Sequence, residues 1–200
     1  MEHARDHFPE EIHQRILEAA GTRFHQYGYN KTTMAEIARD CDMSAANLYR
    51  YFENKLAIGA ELAAGCLADN VHILKEIVSD KALSCAARLE KYILASLDRT
   101  YNQWSETPRI NEMVIAICHE RLDIVNLHVQ QKQALLINLL NEGNQAEEFA
   151  VPDPEMTADA IHTATTLFNV PLLMPMYSRD AFERKAYNLT ALLLNGLLKH

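Results

Sequence analysis

The sequence is short of glycine and cysteine and has no excess of positive charge, and each shortage bears on a class of function. Its six glycines build no Gly-rich phosphate loop, and H-E-x-x-H, G-x-S-x-G and metal-ligand clusters at useful spacing are missing too. Active sites leave some convergent set of groups, so no catalytic residue, metal or cofactor is expected and the chain does not read as an enzyme. Cys118-His119 is the one adjacent Cys/His pair, but helix neighbours point about 100° apart, a poor geometry for nucleophile and base. The four cysteines, Cys41, Cys66, Cys85 and Cys118, form no C-x-x-C pair. That pattern fits reduced thiols rather than a disulfide framework or zinc site, with Cys41 as core packing. No apolar run reaches the roughly 18 residues of a membrane span, and MEHARDHFPEE lacks the apolar core of a secretory signal. A cytoplasmic protein with no membrane partner is expected.

What is present is helical periodicity. Strand-like alternation is nowhere convincing, and no repeat or low-complexity tract appears, so the fold class is all-α. Pro9-Glu10-Glu11 opens a first helix with an apolar stripe of Ile12, Ile16, Leu17, Ala20 and Phe24, ending near Tyr27-Gly28. Beyond Lys55 a helix continues unbroken through Ile58, Leu62, Leu67, Val71, Leu74 and Ile77. Further helices are expected over 82–104, 108–119, 122–144, 154–169 and 180–199, about nine in all.

Between these lies the most informative stretch, Gly28 to Lys55, GYNKTTMAEIARDCDMSAANLYRYFENK. Thr33 and Glu36 form a capping box that starts a short helix over 34–40, with Met34, Ile37, Ala38 and Cys41 on its buried face. Asp42 tolerates the left-handed backbone of a sharp turn, and Ser44 offers an oxygen to the free N–H groups of a second helix from Ala45. Rotation by about 100° per residue places Leu48 and Phe52 inward, with Ala46, Asn47 and Arg50 opposite and Tyr49 and Tyr51 on the flanks. Arg suits guanine, Asn suits adenine, and an Ala methyl can rest on thymine in a major groove that admits a helix. Tyr49, Tyr51, Lys55 and the helix start at Thr33 suit phosphates. By the same rotation Ala45 falls near the buried side and ranks last among the base contacts. A bare helix-turn-helix pattern also fits an ordinary helical hairpin with a solvated outer side.

The residues themselves carry more than the spacing. T-T-M-x-x-I-A followed by S-x-x-x-L-Y-x-Y-F-x-x-K resembles the signature of the tetracycline-repressor (TetR) family of bacterial transcriptional regulators, over about residues 10 to 60. The resemblance implies a three-helix DNA-binding headpiece (residues 1–55) followed by a larger helical effector-binding and dimerisation domain (56–200). It also implies that Thr33, Tyr49, Tyr51 and Lys55 hold the phosphate backbone, Ser44 starts the reading helix, and Ala45, Ala46, Asn47 and Arg50 face bases. Asp42 stands where the family usually has glycine, and Ala45 where many members have a longer polar residue.

The formal net charge of −8 argues against a polyanion as partner, because such binding gains from neutralising phosphates. Charge is unevenly spread, however: residues 23–55 hold five basic and four acidic side chains, a net of +1, whereas 56–200 hold 12 and 18, a net of −6. A head so weakly basic needs a partner, so two heads on one palindromic operator of double-stranded DNA are expected.

The last two expected helices supply apolar surface for that pairing, with Ile161, Ala164, Leu167 and Phe168 on one and Phe182, Tyr187, Leu189, Leu192, Leu193, Leu194, Leu197 and Leu198 on the other. Pairing them with their copies would form a four-helix homodimer interface, the alternative being that both lie in one subunit's core. Tyr101, Trp104, Met113, Ile117, Cys118, His119, His162 and Phe168 are candidates to line a pocket for a small organic effector, although each is also ordinary helix core. Pro171 and Pro175 either form a pocket wall or simply end a helix. The resulting reading is a homodimeric repressor released from its operator by that effector, the alternative being a DNA-bound structural protein that holds a protein partner instead.

Overall fold

The computed structural model describes residues 10–198, and among them are ten α-helices, one 3-10 helix and no strand. Pro9 and Lys199, at the expected ends of the first and last helices, lie outside the described residues. The fold class is therefore all-α, with one α-helix and one 3-10 helix more, among the described residues, than the nine the sequence suggested. The chain divides into two compact units, one of 1–66 with 109–124 and one of 67–108 with 125–200. This division differs from the 55/56 boundary expected from the sequence: the head reaches further along the chain and takes in a distant helix.

The first unit contains α1 (Glu10–Tyr27), α2 (Met34–Asp40), α3 (Ala45–Tyr51), the start of α4 (Lys55–Ser79) and, from far along the chain, α6 (Asn111–Glu120). The stripe read from α1 is buried as expected, with Ile16, Leu17, Ala20 and Phe24 packed beside Ile37, Leu48, Phe52 and Ile58. Cys41 is 1% exposed in the same core. Two residues from α6, Met113 and Ile117, complete this core.

The second unit holds the rest of α4, then α5 (Cys85–Glu106), α7 (Leu122–Gln145), α8 (Pro154–Ala164), α9 (Thr166–Asn169), a 3-10 helix (Pro171–Met176) and α10 (Arg179–Leu197). Helix α5 is its centre, packed against α9, the 3-10 helix and α10. Residues 154–169 do not form one helix. The Thr165 hydroxyl donates to Ile161 O at 2.8 Å and the Thr166 hydroxyl to His162 O at 3.2 Å, and such back-bonding bends helices. Pro171 opens the 3-10 helix and Pro175 lies inside it, where missing N–H groups favour the tighter, shorter winding.

Electrostatics tie the ends of this unit together. Both Glu148 carboxylate oxygens accept from the start of α5, from Cys85 N and Ala86 N at 2.9 Å, where the helix dipole favours a negative charge. Arg88, 4% exposed, donates to Val78 O at 2.8 Å and to Glu142 at 2.7 Å. By length and composition α4 would pass for a membrane span, with a mean hydropathy of 1.2 over its most apolar stretch. That departs from the absence of such a run expected from the sequence; 22% of that stretch is buried within the protein.

Candidate nucleic-acid interface

The local signals between Thr33 and Phe52 fold as their chemistry dictates. Thr33 Oγ1 accepts from Glu36 N–H at 3.3 Å while Thr33 N–H donates to Glu36 Oε2 at 2.9 Å, completing the capping box. Asp42 takes the left-handed backbone at φ 54°, and Ser44 Oγ caps α3 by accepting from Asn47 N–H at 3.2 Å. A short polar side chain is among the few non-glycine groups that tolerate that backbone region. Leu48 is 0% exposed and Phe52 4%, the latter stacked on His13 with ring centroids 4.7 Å apart. Those two anchors fix the rotation of α3, leaving Ala46, Tyr49 and Arg50 exposed and Asn47 half-buried at the surface. Ala45 is partly buried against the core, as its helical angle suggested, and Tyr51 is half-buried.

Lys55 departs from its expected place. Its Nζ donates to Tyr29 O at 2.6 Å and Thr32 O at 2.9 Å and lies 4.4 Å from the Tyr29 ring centroid, and burial lowers its pKa while the charge of Glu112 raises it. The ammonium is held by carbonyls of the loop before α2, a positioning role that the sequence did not suggest. From the other side Glu112 Oε2 accepts from Asn30 N–H at 2.8 Å and lies 3.0 Å from where a Cβ on Gly28, at φ 93°, would sit. Thr32, 1% exposed, closes the loop by donating to Gly28 O at 2.9 Å. Glu112 and Thr32 escaped sequence reasoning, the former because its partner lies 82 residues away.

Lys55→Met will destabilise the protein by about 1–3 kcal/mol, because carbonyls lose a charged donor in a partly buried place. Operator affinity will fall while its salt dependence keeps its slope. A slope flattened by about one unit, the mark of a lost phosphate contact, would return Lys55 to the DNA.

Arg23 is neutralised internally: it chelates Asp40, with Nη2 donating to Oδ1 at 3.1 Å, and lies 3.6 Å from Glu36. Asp40 is in turn held below the usual carboxylate range by that bond. Lys31, Arg39 and Arg109 line a surface cleft beside Arg23 and Tyr27, and Arg109 joins it from a segment that sequence spacing gives no reason to place there.

The eight effector-pocket candidates divide between the two units. Met113 and Ile117 fill the core of the first unit, Cys118 is half-buried and His119 exposed on the same helix. Tyr101, Trp104, His162 and Phe168 belong to the second unit. There Phe168 is core, Tyr101 and Trp104 pack edge to face at 5.5 Å, and Tyr101 also lines a cleft of about 270 Å³ between α5 and α10. The reason for the split is that α6 buries its apolar face in the head.

Two short capped helices held at a fixed turn, with their reading surface turned outward, make this a helix-turn-helix DNA-binding protein. Residues 16–62 match the family described as bacterial regulatory proteins, tetR family, and residues 85–190 match the tetracyclin repressor-like C-terminal domain. The chain belongs to the TetR family of transcriptional regulators. Curated relatives include the probable HTH-type transcriptional regulator ArpR of Pseudomonas putida, 25% identical over 64% of this chain and 60% of that protein. TtgR of Pseudomonas putida is 24% identical over the same shares. The match thus spans less than two thirds of these relatives' length. Among solved structures, a putative TetR-family regulator from Mesorhizobium loti superposes with a TM-score of 0.72 at 16% identity, covering 95% of this chain and 98% of that one. SmeT, the repressor of the Stenotrophomonas maltophilia multidrug efflux pump SmeDEF, gives 0.68 at 16% identity, covering 94% and 90%.

Proposed function

We propose that the protein is a homodimeric transcriptional repressor, acting in the cytoplasm, that leaves a palindromic operator when a small organic effector binds its second unit. The observation that carries this reading is α3, whose buried Leu48 and Phe52 turn Ala46, Asn47, Tyr49 and Arg50 to the surface. Repression is supported by what related proteins are named for, SmeT and the secondary repressor NalD among them. Effector release requires that the ligand bind the DNA-incompetent state more tightly, since equal affinity for both states shifts nothing. Helix α4, which belongs to both units, is the covalent route for such coupling. Selection from random duplex DNA tests the reading: a palindromic consensus supports it, and a pool without sequence preference sinks it.

On this reading the apolar surface that the last helices offer for pairing is smaller than the sequence suggested. Ile161, Phe168, Phe182 and Leu197 are buried within one subunit, and Leu167, Leu189, Leu193, Leu194 and Leu198 are partly covered by the same core. The large apolar side chains that α10 leaves outward are Tyr187, 52% exposed, and Leu192, 69% exposed, and Ala191 beside Leu192 is exposed too. On this reading Leu192→Glu puts a charge into the apolar centre of the interface. Light scattering should then show a monomer with an unchanged circular dichroism spectrum. A variant that stays dimeric at micromolar concentration would move the interface away from α10.

A further inference from the structure

Lys132 lies inside the second unit, 3% exposed, on the face of α7 that also buries Leu136, Leu139 and Leu140. An ammonium taken out of water normally requires an opposite charge. Among the described residues no carboxylate comes within salt-bridge distance of its Nζ. Its hydrogen-bond partner is Asn169 Oδ1, and the Tyr92 ring centroid lies 5.7 Å away. Asn169 is fixed in turn, its amide nitrogen donating to Thr165 O at 2.7 Å. Burial lowers the Lys132 pKa to about 8, which still leaves most of it charged at neutral pH.

Other polar groups converge on the same place. His128 stands one turn before Lys132, and its buried Nδ1 has no hydrogen-bond partner among the described residues. Burial, then the charges of Lys132 and His162, push its pKa down to about 4. His162 on α8 is lowered by burial and by Lys132, against the opposing charge of Asp159, whose carboxylate accepts from Gln133 at 2.8 Å. Tyr92 on α5 is 2% exposed, and its hydroxyl also lacks a partner among the described residues. Three helices thus bring a lysine, two histidines and a phenol together in a core whose surrounding side chains, Leu136 and Phe168 among them, are apolar.

A purely structural role leaves this arrangement unexplained, since a leucine at Lys132 would continue the face of α7 without burying a charge. We infer that the cluster is the binding site for an organic acid, whose carboxylate accepts from Lys132 and from the Tyr92 hydroxyl while its apolar body lies in the adjoining core. A carboxylate supplies the missing counter-charge and two acceptor oxygens, and its bonds to an ammonium are charge-assisted. A neutral isostere satisfies the same donors weakly and leaves the charge uncompensated. That this acid is the effector rests on the repressor reading above; that it binds at Lys132 does not.

The test is calorimetric titration of the full-length protein with benzoate, 4-hydroxybenzoate, indole-3-acetate and hexanoate, each beside its carboxamide. At least one acid should bind, with its amide tenfold weaker or worse, and raise the Tm. Lys132→Met should weaken that acid at least tenfold while raising the Tm of the unliganded protein. Tyr92→Phe should weaken it severalfold without lowering the unliganded Tm, since the hydroxyl it removes is buried and unpartnered among the described residues, and it decides the matter should the lysine variant fail to fold. Absence of binding by every acid, equal affinity for acid and amide, or undiminished acid affinity in both variants overturns the site. Acid binding that depends on Lys132 but leaves the selected operator occupied upholds the site and rejects the effector role.

Discussion

Asn47→Ala combined with Arg50→Ala will weaken binding to the selected operator about a hundredfold or more while leaving the protein folded. Each good bidentate contact to a base edge is worth about 1–3 kcal/mol of discrimination, and 1.4 kcal/mol is tenfold in affinity. The fold of α3 does not depend on the Asn47 side chain. The cap at Ser44 uses the backbone N–H of residue 47, which alanine keeps, and the helix is anchored by Leu48 and Phe52. Binding to a scrambled duplex should change far less, because Asn47 carries no charge and one lost arginine removes at most one phosphate partner. Fluorescence anisotropy on both duplexes at one salt concentration makes the comparison. Parallel loss on both duplexes would show that these residues bind backbone, and the base-reading assignment would fail.

The largest stability effect belongs to a glycine. In a helix interior, Gly→Ala ordinarily stabilises by up to about 1 kcal/mol, and Gly65 and Gly196, with open space around their Cβ positions, should follow that rule. Gly143 in α7 should reverse it. A Cβ there would lie 2.1 Å from Phe149 Cδ2 and 2.7 Å from its Cγ, too close to the root of the ring for rotation to relieve. The ring cannot withdraw either. Glu148 N and Phe149 N both donate to Gly143 O at 2.9 and 3.1 Å, Ala150 N donates to Leu197 O at 2.9 Å, and Glu148 caps α5. Either α7 distorts or Phe149, 3% exposed, leaves the core, and removal of a buried Phe costs about 3–5 kcal/mol. Gly143→Ala should therefore lose about 3 kcal/mol or more, or about 6–12 °C in Tm. A neutral result in a urea melt would mean that the turn after α7 repacks freely.

Legibility in the sequence followed range. Cap, turn and rotation of the reading helix depend on residues within about a turn of one another, and each of Thr33, Asp42, Ser44, Leu48 and Phe52 behaves as its chemistry suggested. Lys55 and Glu112 did not reveal their roles, because both act on a loop more than twenty residues away. The apolar pattern of α6 announced burial without saying against what, so Met113 and Ile117 read as pocket lining when they are core of the head. The split of residues 154–169 turns on threonine hydroxyls choosing their own helix's carbonyls, a choice that periodicity does not register. Lys132 was legible in principle: it stands in register with Leu136, Leu139 and Leu140, a charge where the stripe demands an apolar side chain.

Because α6 belongs to the head, the head is discontinuous in sequence. Its first segment ends at Cys66, and the second, 109–124, follows a stretch that folds elsewhere. During synthesis the head therefore has no complete core until Met113 and Ile117 have left the ribosome. A fragment cut at residue 66 leaves Gly59 without Met113, whose Cγ lies 3.3 Å from where a Cβ on that glycine would sit. Any chimaera that exchanges reading heads between relatives has to carry two pieces of chain, and a graft of the N-terminal piece alone would pair a foreign loop with the resident Glu112.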